Sequence, residues 1–143
     1  MILSKLVTTI LLSCHSGDPN VATQIEREAV TQRVDPALAL AVGVLESGLQ
    51  PTNPMGVRAC YARYNRDGHH GTAACVRIGV TSLKNRLVAA QGKPNRGQCR
   101  RTDDPTVCRA LVVYNQGPQM YGYARHALRI VSFVRRKLAP LRT

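Results

Sequence analysis

The chain has 143 residues, room for one compact domain and too few for two of ordinary size. It is 44% hydrophobic and 20% charged but only 4% aromatic, with no Trp, so its core has to come from Leu, Val, Ile and Ala, which argues against a β-sandwich and for helices. Twenty Lys and Arg against eight Asp and Glu leave a formal charge of +12, which suits a polyanionic partner such as nucleic acid, anionic lipid or an acidic cell wall.

Lys5 precedes an apolar run over residues 6–12 that is too short to span a bilayer and matches the core of a signal peptide. Residues 1–17 are therefore expected to be a leader, and 18–143 the working domain. Leu11-Leu12-Ser13-Cys14 also resembles a lipoprotein processing site, which would anchor the chain to a membrane through Cys14. The alternative is an ordinary first helix over residues 2–12.

After a break at Gly17, Asp18 and Pro19, the spacing of Val21, Ile25, Ala29 and Val30 predicts a helix over 21–33, with Glu26 and Glu28 outward. Asp35 reads as an N-cap and Pro36 as the first residue of a helix over 36–47. Leu38, Ala41, Val42 and Leu45 share one face of it, and Gly48 ends it. Residues 50–76 carry Pro51, Pro54, Gly56, Gly68 and Gly71 and read as a loop, long enough to demand a staple or a function. Helix returns over 77–90 with Ile78, Val80, Leu83, Leu87 and Val88. A basic loop over 91–104 leads to a helix over 105–114, a break at Asn115-Gln116-Gly117-Pro118, and a last helix over 121–138 with Ala124, Leu128, Val131 and Val134 inward. Pro140 and the tail are expected to fray.

Four of the five cysteines, Cys60, Cys75, Cys99 and Cys108, cluster in the loop-rich middle, as two disulfides in an oxidising compartment would. Three pairings are possible. Cys60–Cys75 with Cys99–Cys108 is favoured, because each bond closes one short excursion between helices. A zinc site using His69 and His70 lacks the close ligand spacing of structural zinc. Reduced, buried thiols are the other alternative.

One carboxylate differs from the rest. Glu46 sits one position round from the apolar stripe, over Val42, at a helix end beside a glycine, where it would be half buried. Burial raises a carboxyl pKa, and a carboxylic acid that keeps its proton can protonate a glycosidic oxygen. Glu26 and Glu28 face outward, Asp35 caps, and Asp67, Asp103 and Asp104 lie in polar loops. A glutamate near a helix end is more often merely solvated, so spacing alone does not decide.

Val34-Asp35-Pro36-Ala37-Leu38 followed by Val44-Leu45-Glu46-Ser47-Gly48 resembles the first motif of the lytic transglycosylases, a family related to goose-type lysozyme. Ile78-Gly79-Val80 with Leu83 looks like a later helix of that family, whose glycine permits close packing. Val112-Val113-Tyr114-Asn115-Gln116-Gly117-Pro118 looks like its "AYNxGP" motif. The resemblance spans residues 21–135, and the family's "GLMQ"-type segment is missing; Pro51 to Arg58 take its place.

The resemblance implies a fold in the lysozyme-like superfamily, otherwise classed as α+β: here an all-α, small helical domain with a substrate cleft and disulfide-stapled loops. It implies cleavage of the β-1,4 bond between N-acetylmuramic acid and N-acetylglucosamine in peptidoglycan by a single acid/base, Glu46, leaving a 1,6-anhydro-muramyl end. Tyr114 would hold Glu46 or the substrate acetamido group, Ser47 and Asn115 would orient the site, and Asn53 would wall the cleft. For Asn53 plain turn chemistry is an equal reading, and for Ser47 and Asn115 so is satisfaction of helix-end backbone groups. Tyr61, Tyr64, Tyr121 and Tyr123 are candidates to stack on sugars, with Tyr121 kept as a binding residue. The expected partner is the glycan strand, the setting exported, the chain monomeric, and no metal, cofactor or nucleic acid is required. Two alternatives stand: a hydrolytic muramidase using Glu46 with Asp67 or Asp103, and a basic binding module without chemistry.

Overall fold

The structure is a computed structural model that describes residues 2–92, 97–115 and 120–139. It is all-α: six α-helices and two short 3-10 turns, with no strand among the described residues. The helices are α1 (Lys5–Leu11), α2 (Pro19–Gln32), α3 (Pro36–Ser47), α4 (Thr72–Ala90), α5 (Pro105–Asn115) and α6 (Met120–Leu138). The turns are Arg58–Cys60 and Gly97–Arg101. Gln116, Gly117 and Pro118 of the expected break, and Pro140 with the tail, lie outside the described residues.

α3 is the axis of the fold. Seven consecutive residues from Ala37 to Gly43 are buried, far more than one stripe, because α2 covers one side and α6 another. Its ends are set locally. The Asp35 carboxylate accepts from the Ala37 N–H at 3.0 Å, and Gly48 adopts the left-handed φ of 66° that lets the helix stop. Arg135 of α6 reaches the other Asp35 oxygen at 2.5 Å, tying the start of α3 to the end of the chain.

Several expectations need correction. Val30 and Val88, part of the apolar patterns that mark their helices, are 62% and 58% exposed, because the buried faces of α2 and α4 are narrower than those patterns. α4 begins at Thr72 rather than 77, since its first turn brings Cys75 back to Cys60 and buries Val76. Residues 5–11 form α1, within the span that the alternative reading gives to an ordinary first helix; it packs on α2, α3 and α6 and buries Val7 and Ile10 completely. Ser4 caps it and donates to Glu26 at 2.7 Å, so Glu26 is not simply outward. Cys14 holds no partner sulfur; its thiol donates to the Gly48 carbonyl at 3.2 Å. The two disulfides are Cys60–Cys75 and Cys99–Cys108. The first fastens the long loop to α4, the second fastens the basic loop to α5.

Candidate functional site

Glu46 lies in the last turn of α3, half buried at the border between core and surface. Desolvation pushes its carboxyl up to about 7, so near neutral pH the proton is held about half the time.

The loop after α3 is folded onto that carboxyl by three contacts. Ser47 Oγ donates to the Pro54 carbonyl at 2.9 Å and accepts from the Gln50 N–H at 3.1 Å. Asn53, at a left-handed φ of 47°, closes a small ring: its Nδ2 donates to the Val57 carbonyl at 2.9 Å and its Oδ1 accepts from the Val57 N–H at 2.8 Å. Met55 is fully buried where Gly79 of α4 leaves room, since a Cβ on Gly79 would stand 2.2 Å from the Met55 Cβ. Gly56 follows, at a φ of 67°, and its bare backbone lies on the glutamate; a Cβ there would stand 2.6 Å from Glu46 Oε1.

α5 and α6 each bring one tyrosine. Tyr114 donates its hydroxyl to the Met55 carbonyl at 2.6 Å. Burial, then the Glu46 charge, raise its pKa well above the ordinary phenol value. Tyr123 is raised by the same two causes and by Tyr114, and its hydroxyl is buried with no hydrogen-bond partner among the described residues. Both are neutral hydroxyls in the field of Glu46. Beside them opens a groove of about 1020 Å³ whose lining includes Gly56, Tyr61, Tyr64, Arg86, Tyr114 and Asn115. No carboxylate is among its described lining residues.

No family model, curated protein or solved structure matches this chain.

The expected site residues therefore divide on geometry. Tyr114 and Asn115 line the groove together with Gly56, and Glu46, outside the lining itself, lies against Gly56. Tyr114 does not hold Glu46 directly, because its proton goes to the Met55 carbonyl. Ser47 and Asn53 fasten the loop, the second of the two readings open for each, with their polar atoms on nearby backbone. Tyr121 lies apart from Glu46: it faces Arg125 and lines a different hollow with Arg100 and Arg101. Two positions along a helix is a turn of about 200°, so Tyr121 and Tyr123 cannot serve the same face, and Tyr123 is the one near Glu46. Asp67 is exposed in the loop and Asp103 lines a separate groove with Asp35 and Asp104. His69 and His70 stack edge-on, and no cluster of potential metal ligands forms among the described residues.

Sequence reasoning missed Gly56 and Met55. The signal for both was the Asn-Pro-Met-Gly stretch, read as a turn. Burying Met55 and resting Gly56 on Glu46 require knowing that α4 offers Gly79 at the same height.

Proposed function

We propose that this protein cleaves the β-1,4 bond between N-acetylmuramic acid and N-acetylglucosamine in peptidoglycan, as a lysozyme-like lytic transglycosylase with Glu46 as its single acid/base. What carries the proposal is the carboxyl raised to about 7 and covered by Gly56, whose other neighbours in the lining of the adjoining groove include Tyr114 and Asn115, with no carboxylate among the described lining residues. Glycosidases that work through two carboxylates place them across the scissile bond. A lone acid suits the route in which the substrate completes the chemistry.

In that route protonated Glu46 gives its proton to the glycosidic oxygen as the bond from C1 breaks. The acetamido group of the muramyl sugar supports the cationic C1. Ionised Glu46 then takes the proton of the sugar's 6-hydroxyl while that oxygen bonds to C1. The glutamate ends as it began, no water is consumed, and the product carries a 1,6-anhydro ring. Tyr123, whose buried hydroxyl makes no hydrogen bond among the described residues, would turn its proton to an acceptor brought close by the substrate, while Tyr114 holds the Met55–Gly56 backbone in place. Tyr61 and Tyr64, each about half exposed on the groove, supply flat faces for sugar rings.

The charge of +12 fits an anionic wall polymer, and the two disulfides are compatible with an exported enzyme acting in the cell envelope as a monomer. No helix among the described residues is long and apolar enough to cross a membrane. The test is digestion of purified sacculi followed by mass spectrometry of the soluble fragments. Anhydro ends, lighter than reducing ends by one water, are expected from the native protein and none from Glu46→Gln. Reducing ends would replace the non-hydrolytic route with hydrolysis, and equal release by Glu46→Gln would reject the catalytic role of Glu46.

A further inference from the structure

Resting on the glycan-cleaving role above, we propose that Arg86 is a carboxylate receptor in the wall of the groove, so that the protein selects strands whose muramyl sugars carry negative charge. Arg86 projects from α4 into the lining beside Tyr114 and Asn115. It is close enough to Tyr114 for its charge to act on the phenol. Its Nε is buried and makes no hydrogen bond among the described residues. A guanidinium offers five donors in a planar fork, and a buried donor left unpaired is costly. Arg86 is part of the groove lining, and a carboxylate entering the groove matches the accessible edge of a guanidinium with two parallel bonds.

No acid lines the groove among the described residues. Two more arginines enrich the other wall. Arg58 donates to the Tyr64 hydroxyl at 3.1 Å and lies 5.0 Å from its ring centre, and Arg63 lies 5.8 Å from it. Three cations and no described anion around one concavity concentrate negative ligands there. The sugar rings themselves are neutral. The negative charge of such a strand sits on the lactyl group of the muramyl sugar, or on the peptide attached to it. Both present a carboxylate to one side of the glycan, and an uncharged polymer of N-acetylglucosamine presents none.

The experiment measures kcat/KM on two pairs of purified strands. One pair bears stem peptides, with carboxylates either free or capped as methylamides. The other has its peptides removed by an amidase, with the lactyl carboxylates either free or capped. Native protein is expected to prefer the free member of at least one pair by about ten- to a hundredfold, the range of a charge-assisted hydrogen bond. The pair that shows the preference identifies the peptide or the lactyl group as its source. Arg86→Met and Arg86→Gln are expected to erase the preference, losing at least about tenfold more on free than on capped strands, and Arg86→Lys to keep part of it. Equal losses on free and capped strands, or a native protein indifferent to capping, overturn the receptor role while leaving glycan cleavage intact. Native protein that cuts no strand in either pair removes the cleavage role as well. Unchanged thermal unfolding of the variants ties any loss to the groove rather than to the fold.

Discussion

The backbone of Gly56 lies against the carboxyl group of Glu46, so that a methyl at position 56 would stand 2.6 Å from Oε1 and 2.7 Å from Cδ. That contact excludes water from one side of the acid and is the nearest physical source of its desolvation. Gly56→Ala therefore has two expected effects. The left-handed φ of 67° costs about 1 kcal/mol with a Cβ present, and the glutamate side chain, the more flexible partner, is pushed toward solvent. Its carboxyl then moves from about 7 back toward the ordinary carboxylate range. The protein folds, its kcat/KM at pH 7 drops at least about tenfold, and the alkaline limb of its pH profile moves to lower pH. An unchanged profile would mean that Gly56 does not set the acidity of Glu46.

Glu46 itself makes a prediction about stability that does not depend on catalysis. Its carboxyl is raised from 4.5 to about 7 in the folded state, so the folded protein binds this proton more tightly than the unfolded chain. Folding stability from this group is intact below 4.5, declines as pH rises, and is lost above 7. Glu46→Gln keeps a neutral side chain at every pH. It is expected to match the native protein at pH 4 and exceed it at pH 8 by about 1–2 kcal/mol, the full shift being reduced because the group is half exposed to screening solvent. Urea denaturation at the two pH values measures the difference. The same proton governs activity: kcat/KM of the native protein should fall as pH rises past 7, as the acid form disappears.

Tyr114 and Tyr123 carry the same hydroxyl in the same field but spend it differently. Tyr114→Phe deletes the bond to the Met55 carbonyl and leaves that buried acceptor bare, so a loss of about 1–2 kcal/mol is expected. Tyr123→Phe deletes a buried hydroxyl that has no partner among the described residues. It should leave the melting temperature unchanged or higher. If Tyr123 meets the substrate, its variant loses about tenfold or more in kcat/KM with the fold intact. A Tyr123→Phe protein that is both destabilised and fully active would reverse the two assignments.

Much of this site was legible in the sequence because its signals are local. Asp35-Pro36 starts α3 and Gly48 ends it, and the apolar spacing between them puts Glu46 at the border of the core. The two disulfides follow from the short loops that they close. What was not legible depends on segments far apart in the chain. Gly79 matters because Met55 fills the space it leaves, and Tyr123 because α6 presents that face, not the face of Tyr121, to α3. For Ser47 and Asn53 the sequence leaves two readings open, because polar side chains beside an acid look alike whether they meet a ligand or fasten a loop, and their bonds here are to the loop.

The last prediction concerns α1, where sequence pattern and packing point in different directions. A short apolar run after a lysine reads as a leader that export would remove. Yet Val7 and Ile10 are fully buried, Ser4 bonds Glu26 of α2, and α1 packs against α6. Removing a buried Ile side chain costs a transfer term plus a cavity term, so Ile10→Ala is expected to lose about 2–5 kcal/mol. Shortening the chain to residues 18–143 removes both side chains and uncovers the apolar face of α6 that α1 covers. That form should unfold at lower urea concentration than the full chain and bind a hydrophobic dye. A fragment 18–143 as stable as the whole would mean that α1 contributes nothing to the mature core. A less stable fragment that still cleaves sacculi would separate the two roles, because Glu46, Gly56, Tyr114 and Tyr123 all lie outside α1.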